Sequence, residues 1–205
     1  IDPTNGLPLV NTVYSVFGDR NPDFRLGWNN VISYKNWRLS FLWDLKVGGD
    51  IFNGNNKFLT SIGKSPITAD RYTPIVVEGV LRDGKENTAT PTRNTYTIIP
   101  AYNWTYYAER MPEEVFIEKN VNWFRLRDLS VSYNFPQSFV RRIGVIKSLG
   151  AFFTVNDLIL MTNYSGADPS VSGTSAGARG VGSAGFDYGT LPTPINLNFG
   201  IRLSL

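Results

Sequence analysis

Cysteine and histidine are both missing from the 205 residues. Without them the chain has no disulfide staples, no thiol or imidazole nucleophile or base, and none of the usual zinc ligands. Charge is sparse as well, at 18% of residues, against the ~25% of an ordinary soluble protein. The formal net charge of +3 is mild and the lysines and arginines are scattered, so no nucleic-acid partner is expected. No apolar run approaches the ~18–20 residues of a membrane helix, so any membrane crossing has to be made by strands. The sequence opens Ile1-Asp2-Pro3-Thr4-Asn5-Gly6, with neither an initiator methionine nor a signal peptide, and reads as a piece of a longer chain.

Aromatic residues, in contrast, are plentiful at 14%, and they fall into alternating runs. From Pro194 to Leu205, Ile195, Leu197, Phe199, Ile201, Leu203 and Leu205 alternate with Asn196, Asn198, Gly200, Arg202 and Ser204. Successive strand side chains face opposite sides, so this is a strand with one apolar and one polar face. A soluble sandwich would bury the apolar face. A transmembrane barrel would show it to lipid and keep the polar face in the lumen.

Residues 1–22 have the Pro, Gly, Asn and Asp content of a loop. A strand is expected over Phe24–Tyr34, with Asn30 and Val31 out of phase, and a cleaner one over Trp37–Gly48. The two-residue link Lys35-Asn36 makes them a hairpin. Residues 50–120 are irregular, with helical turns expected near Asn55–Ile62 and Glu113–Glu118. A third strand is expected over Trp123–Phe135. Its first half, Phe124-Arg125-Leu126-Arg127, has the opposite apolar phase, which implies either a bulge near Arg127 or an end projecting beyond the bilayer. After a short connector with a helical turn at residues 138–143, a fourth strand is expected from Ser148 to about Leu158. Residues 162–191 form a second long, glycine-rich loop.

The expected fold class is therefore all-β, with five antiparallel strands joined by alternating short and long connections, as in an outer-membrane barrel. Tyr34, Trp37, Tyr133 and Phe135 fall at the short-turn ends and form an interfacial girdle in that reading. Five strands are fewer than the ~8 that close the smallest barrels, so the outer two need partners from elsewhere.

Several short motifs occur in order along the chain. They are Asn21-Pro22-Asp23-Phe24, Tyr34-Lys35-Asn36, Gly48-Gly49-Asp50-Ile51-Phe52-Asn53 and Trp123-Phe124-Arg125-Leu126-Arg127-Asp128-Leu129-Ser130-Val131-Ser132-Tyr133. They continue with Phe135-Pro136, Asn156-Asp157-Leu158, Tyr164-Ser165-Gly166-Ala167-Asp168-Pro169, Asp187-Tyr188-Gly189, Pro192-Thr193-Pro194 and Phe199-Gly200. Together they resemble the late barrel strands of the SusC/RagA-type TonB-dependent outer-membrane transporters. Two positions depart from that pattern: Ile195 replaces a basic residue, and Leu205 replaces a phenylalanine.

The resemblance implies that residues 1–205 are the C-terminal part of a 22-stranded barrel whose plug and TonB-contacting segment lie outside this sequence. It implies an outer-membrane location in a Gram-negative cell of the Bacteroidetes type. It also implies partnership with TonB, with lipid and with a SusD-like surface lipoprotein, and import of a glycan or peptide without catalysis or a cofactor. The rival readings are a barrel serving as receptor or scaffold without transport, and a membrane hydrolase using a carboxylate pair.

Tyr102, Trp104, Tyr106 and Tyr107 offer flat faces for stacking on a ligand or lid, or else pack their own loop together. Arg38, Asp44, Lys46, Asn198 and Arg202 fall on the lumen-facing phase, where they line a substrate path or pair with a plug or one another. Asp168 with Asp187 invites a calcium reading, although scattered aspartates in such loops usually make turns. Gly180-Val181-Gly182 has neither a preceding strand nor a following helix and is not a phosphate loop.

Overall fold

The computed structural model describes residues 1–11, 13, 15–170 and 184–205. The Gly180-Val181-Gly182 run lies outside them. In chain order the elements are β1 (Phe24–Tyr34), β2 (Trp37–Val47), β3 (Ile51–Asn53), α1 (Gly54–Ser61), β4 (Ile75–Val76) and β5 (Thr97–Ile98). Then come β6 (Ile117–Glu118), β7 (Trp123–Asn134), α2 (Gln137–Val140), β8 (Ser148–Thr162), β9 (Phe186–Asp187) and β10 (Asn196–Ser204). The five long strands form one sheet in the order β1-β2-β7-β8-β10, with every neighbouring pair antiparallel.

The β1–β2 hairpin turns at Lys35-Asn36, where Lys35 takes a φ of 53°, and it closes with Tyr34 opposite Trp37. Asn36 Nδ2 then donates to the Asn134 carbonyl at 2.7 Å, which ties the turn to the end of β7. Pairing of β1 with β2 is continuous, so the break in alternation at Asn30-Val31 does not come from a bulge. Asn30 instead sits on the apolar face opposite Phe41, where its Nδ2 is enclosed without a hydrogen-bond partner among the described residues.

The phase change in β7 does come from a bulge. Leu42 pairs with Asp128 but Trp43 pairs with Leu126, leaving Arg127 as the extra residue. On the other side Asp128 pairs with Asn156 and Leu126 with Ile159, so Asp157 and Leu158 oppose Arg127 alone. Asp157 adopts a φ of 53° to make this bend. The paired bulges return Phe124 and Leu126 to the apolar face, because cross-strand partners share a face. They also explain why β8 runs four residues past its expected end. The bulge resets the alternation, and Ile159 and Met161 continue the apolar face opposite Leu126 and Phe124.

The two faces of the sheet invert the soluble pattern. On one face Trp28, Ile32, Trp37, Phe153, Leu197, Phe199 and Ile201 are exposed, with Phe199 at 73%. On the other, Asp44, Lys46 and Arg125 are buried, Arg125 to 2% exposure. A sandwich requires the reverse arrangement. At the turn end Trp37 and Tyr133 lie 4.7 Å apart, Tyr133 and Phe135 5.1 Å, and Phe135 and Phe139 5.3 Å. The aromatics expected at the short-turn ends thus lie side by side.

At the opposite end the two long connections meet. β3, from the first, pairs with β6 and with β9, which comes from the second. Ile51, Val121 and Tyr164 form the small core beneath them. The Tyr164 hydroxyl donates to Asp187 Oδ2 at 2.7 Å. Burial, reinforced by the Asp187 carboxylate, pushes that hydroxyl far above the ordinary tyrosine range. Asn53 caps α1 by accepting from the Asn56 N–H at 2.9 Å, and its Nδ2 donates to Glu118 at 2.8 Å.

Candidate functional site on the inner face

The inner face carries the densest polar chemistry, and the strand register builds it. β1 contributes Arg25, β2 contributes Asp44 and Lys46, β7 contributes Trp123, Arg125 and Arg127, and β8 contributes Asp157. Arg25 grips Asp44 with two bonds, Nε to Oδ1 at 3.1 Å and Nη2 to Oδ2 at 2.9 Å. From the other side Arg127 donates Nε and Nη2 to Asp44 Oδ2, both at 3.1 Å. Its Nη1 reaches Asp157 Oδ1 at 3.2 Å. Arg125 shares that Asp157 oxygen at 3.4 Å and donates its Nη2 to Asp168 in the second long loop.

The result is an alternating chain, Arg25–Asp44–Arg127–Asp157–Arg125–Asp168, which crosses four strands and ends in the loop above them. Planar guanidinium forks suit such bridging: Arg127 and Arg125 each meet two carboxylates, while Arg25 ends the chain on Asp44 alone. Asp168 is further held by the backbone N–H groups of Ser170 and Thr193 at 2.9 and 3.0 Å and by the Ser170 hydroxyl at 2.7 Å. Burial opposes its charge, but Arg125 and these donors outweigh burial and hold the carboxyl well below its ordinary range. Asp168 is therefore an anchor between loop and wall. Asp187 takes the Tyr164 hydroxyl and the N–H groups of Gly189 and Thr190 instead. The two aspartates have separate partners.

Of the expected lumen residues, Asp44 lies in the network, while Lys46 lies beside it with its ammonium 4.7 Å from the centre of the Trp123 ring. Arg38 and Arg202 lie at the turn end. There they share a recess with Ser40, Ser130, Ser132, Asn134 and Phe152, and the Arg202 guanidinium rests 4.8 Å over the Phe152 ring. Phe152 in turn covers Gly200, where a Cβ would approach the ring to 2.4 Å. Asn198 faces Thr154 across the β8–β10 pair. Periodicity missed Arg125, Arg127 and Asp157 as site residues, although the reversed phase of residues 124–127 was the signal that places Arg125 inward.

The loop aromatics divide. Trp104, Tyr106 and Tyr107 pack on one another, with ring centres 5.4 Å apart for Trp104–Tyr107 and 5.2 Å for Tyr106–Tyr107. Trp104 also donates its Nε1 to the Ser61 carbonyl at the end of α1, at 2.9 Å. Tyr102 remains exposed, its ring centre 6.5 Å from that of Tyr72, which is also open.

No family model matches the chain. TonB-dependent receptor P3 of Formosa agariphila is 29% identical over 189 residues, which is 92% of this chain and 17% of that protein. TonB-dependent receptor P26 of the same organism is 27% identical over 207 residues, covering 98% of the chain and 19% of its own length. Among solved structures, the RagAB peptide importer in its closed-closed state matches 94% of the chain and 19% of the matched chain, with a TM-score of 0.60 at 18% identity. The chain has the fold of a TonB-dependent receptor's barrel wall. It spans less than a fifth of the length of each of these proteins. As a segment of such a wall, the five-stranded sheet leaves β1 and β10 as open edges for neighbouring strands to pair with.

Proposed function

We propose that residues 1–205 form the C-terminal wall of a TonB-dependent importer in the outer membrane, with residues 50–120 and 162–191 on the cell exterior. The importer takes up a peptide or glycan beneath a SusD-like surface lipoprotein. The observation that carries this reading is the inverted sheet. Its exposed apolar face suits lipid, and its ion-paired face suits a polar lumen. The aromatic band at the turn end suits the inner interface of the membrane, which leaves the long connections outside. Likeness to receptors and importers, rather than to enzymes, supports a role in moving a solute without transforming it.

Tyr102 and Tyr72 are the most exposed aromatics of the long connections among the described residues, so they rather than Trp104, Tyr106 and Tyr107 meet the lid or the solute. The test is uptake by cells carrying the full-length receptor, with and without a working TonB, alongside affinity purification of that receptor. Uptake that requires TonB, with a lipoprotein copurifying, is the expected result. Uptake indifferent to TonB with no lipoprotein bound replaces this reading with a receptor or scaffold.

A further inference from the structure

The network on the inner face is neutral within itself. Its three guanidinium groups, Arg25, Arg127 and Arg125, meet three carboxylates, Asp44, Asp157 and Asp168. Lys46 is the cation left over. It is 7% exposed, and among the described residues its ammonium has no carboxylate within salt-bridge distance and no hydrogen-bond acceptor. Asp50, the nearest candidate by position, is already held by Lys119 at 2.9 Å and by the N–H groups of Asp19 and Asn120.

Lys46 is largely buried yet its ammonium opens into a recess, where a charge partly withdrawn from water is costly until a negative group arrives. The Trp123 ring offsets part of that cost through its face but cannot accept the hydrogen bonds. Lys46 lines a recess of about 440 Å³ that lies between the inner face and the loops above it. Arg20, Arg25, Lys46 and Arg127 line it together with Trp123 and one carboxylate, Asp50. The Arg25 guanidinium also rests over Trp123, 5.4 Å from the ring centre. The cations of this lining outnumber that one carboxylate, which Lys119 already holds, and Pro22 and Pro169 add apolar surface, a lining suited to a carboxylate attached to an uncharged body.

We propose that this recess is a carboxylate-binding site for the solute entering the barrel, with Lys46 as the charge that receives it. The inference rests on the import reading, since it takes the recess to open toward a passing solute. The solute chemistry it favours is a peptide with a free C-terminus rather than a neutral glycan.

The test uses the full-length receptor in detergent and two probes, N-acetyl-trialanine and its C-terminal amide, titrated calorimetrically. The acid is expected to bind roughly tenfold or more tightly than the amide, the scale of a charge-assisted hydrogen bond. Lys46→Met abolishes that preference, and Lys46→Arg retains most of it, which separates loss of the site from loss of assembly. Equal binding of acid and amide by the wild type, or binding of neither, overturns the proposal. So does a preference that survives Lys46→Met. A wild type blind to the acid, in which Lys46→Met instead exposes an internal segment to protease, assigns the partner carboxylate to the receptor's own chain and also overturns it. Acid-selective binding in a receptor whose uptake ignores TonB leaves the site standing and removes the import reading alone.

Discussion

The two ends of the inner face use the same residue type in opposite ways. At the loop end Arg25, Arg125 and Arg127 are locked to Asp44, Asp157 and Asp168, and the guanidinium of Arg125 is buried. At the turn end Arg38 and Arg202 are exposed above a serine-lined recess, with no carboxylate paired to either among the described residues. The difference follows from the bulges. Arg127 and Asp157 come inward only because β7 and β8 each depart from simple alternation beside them, whereas the turn end keeps strict register. Arginine in the first place is structural cement joining strands to a loop. In the second it is exposed, with Arg202 resting on the Phe152 ring.

The largest effect should come from breaking the cement. Arg125→Met in the full-length receptor strands the buried Asp168 and weakens the hold on Asp157, and should cost about 3–5 kcal/mol. Thermal unfolding in detergent measures it, and a loss below that of Arg38→Ala would erase the contrast between the two ends.

Next comes a comparison across the wall, midway between those ends. Phe199→Arg puts a charge on the apolar face and should cost ~2–4 kcal/mol near the membrane midplane. Asn198→Arg, on the polar face, should cost well under half of that. Yield of assembled receptor in the outer membrane reads both.

The acid response is smaller and specific to the loop end. Because the Asp168 carboxyl lies below its ordinary value of 3.8 in the folded chain, its contribution is fully present above that value. It is lost as pH falls through the depressed folded value. Acid should therefore loosen the second long loop from the wall, seen as protease cleavage near residues 163–170, and Asp168→Asn should show that cleavage already at neutral pH.

The smallest effect is expected at Arg38. Arg38→Ala should change stability by about 0–0.5 kcal/mol, as for an exposed position without a partner. Any consequence should appear in uptake instead.

Strand existence, order and facing were legible because alternation over nine or more residues leaves a strong signal, as Trp37, Leu39, Phe41, Trp43 and Leu45 show. The girdle was legible for the same reason. The ion-pair chain was not, because a bulge moves residues across faces without changing composition, and Arg125, Arg127 and Asp157 sit at or beside the bulges. β3, β6 and β9 have two or three residues each, too few for any period to show. The divided fate of Tyr102, Trp104, Tyr106 and Tyr107 depends on where α1 lies, a distant contact that local sequence does not encode.

The central claim is that the apolar face of this wall meets lipid and the charged face meets the lumen. Single cysteines placed at 197, 198, 199, 201 and 202 in a cysteine-free full-length receptor test it directly, by reaction in intact outer membranes with a water-soluble maleimide and with a lipid-confined one. The account predicts reaction of 198 and 202 with the soluble reagent, and of 197, 199 and 201 with the lipid-confined reagent. Equal reaction of all five with the soluble reagent, or the opposite alternation, would contradict it.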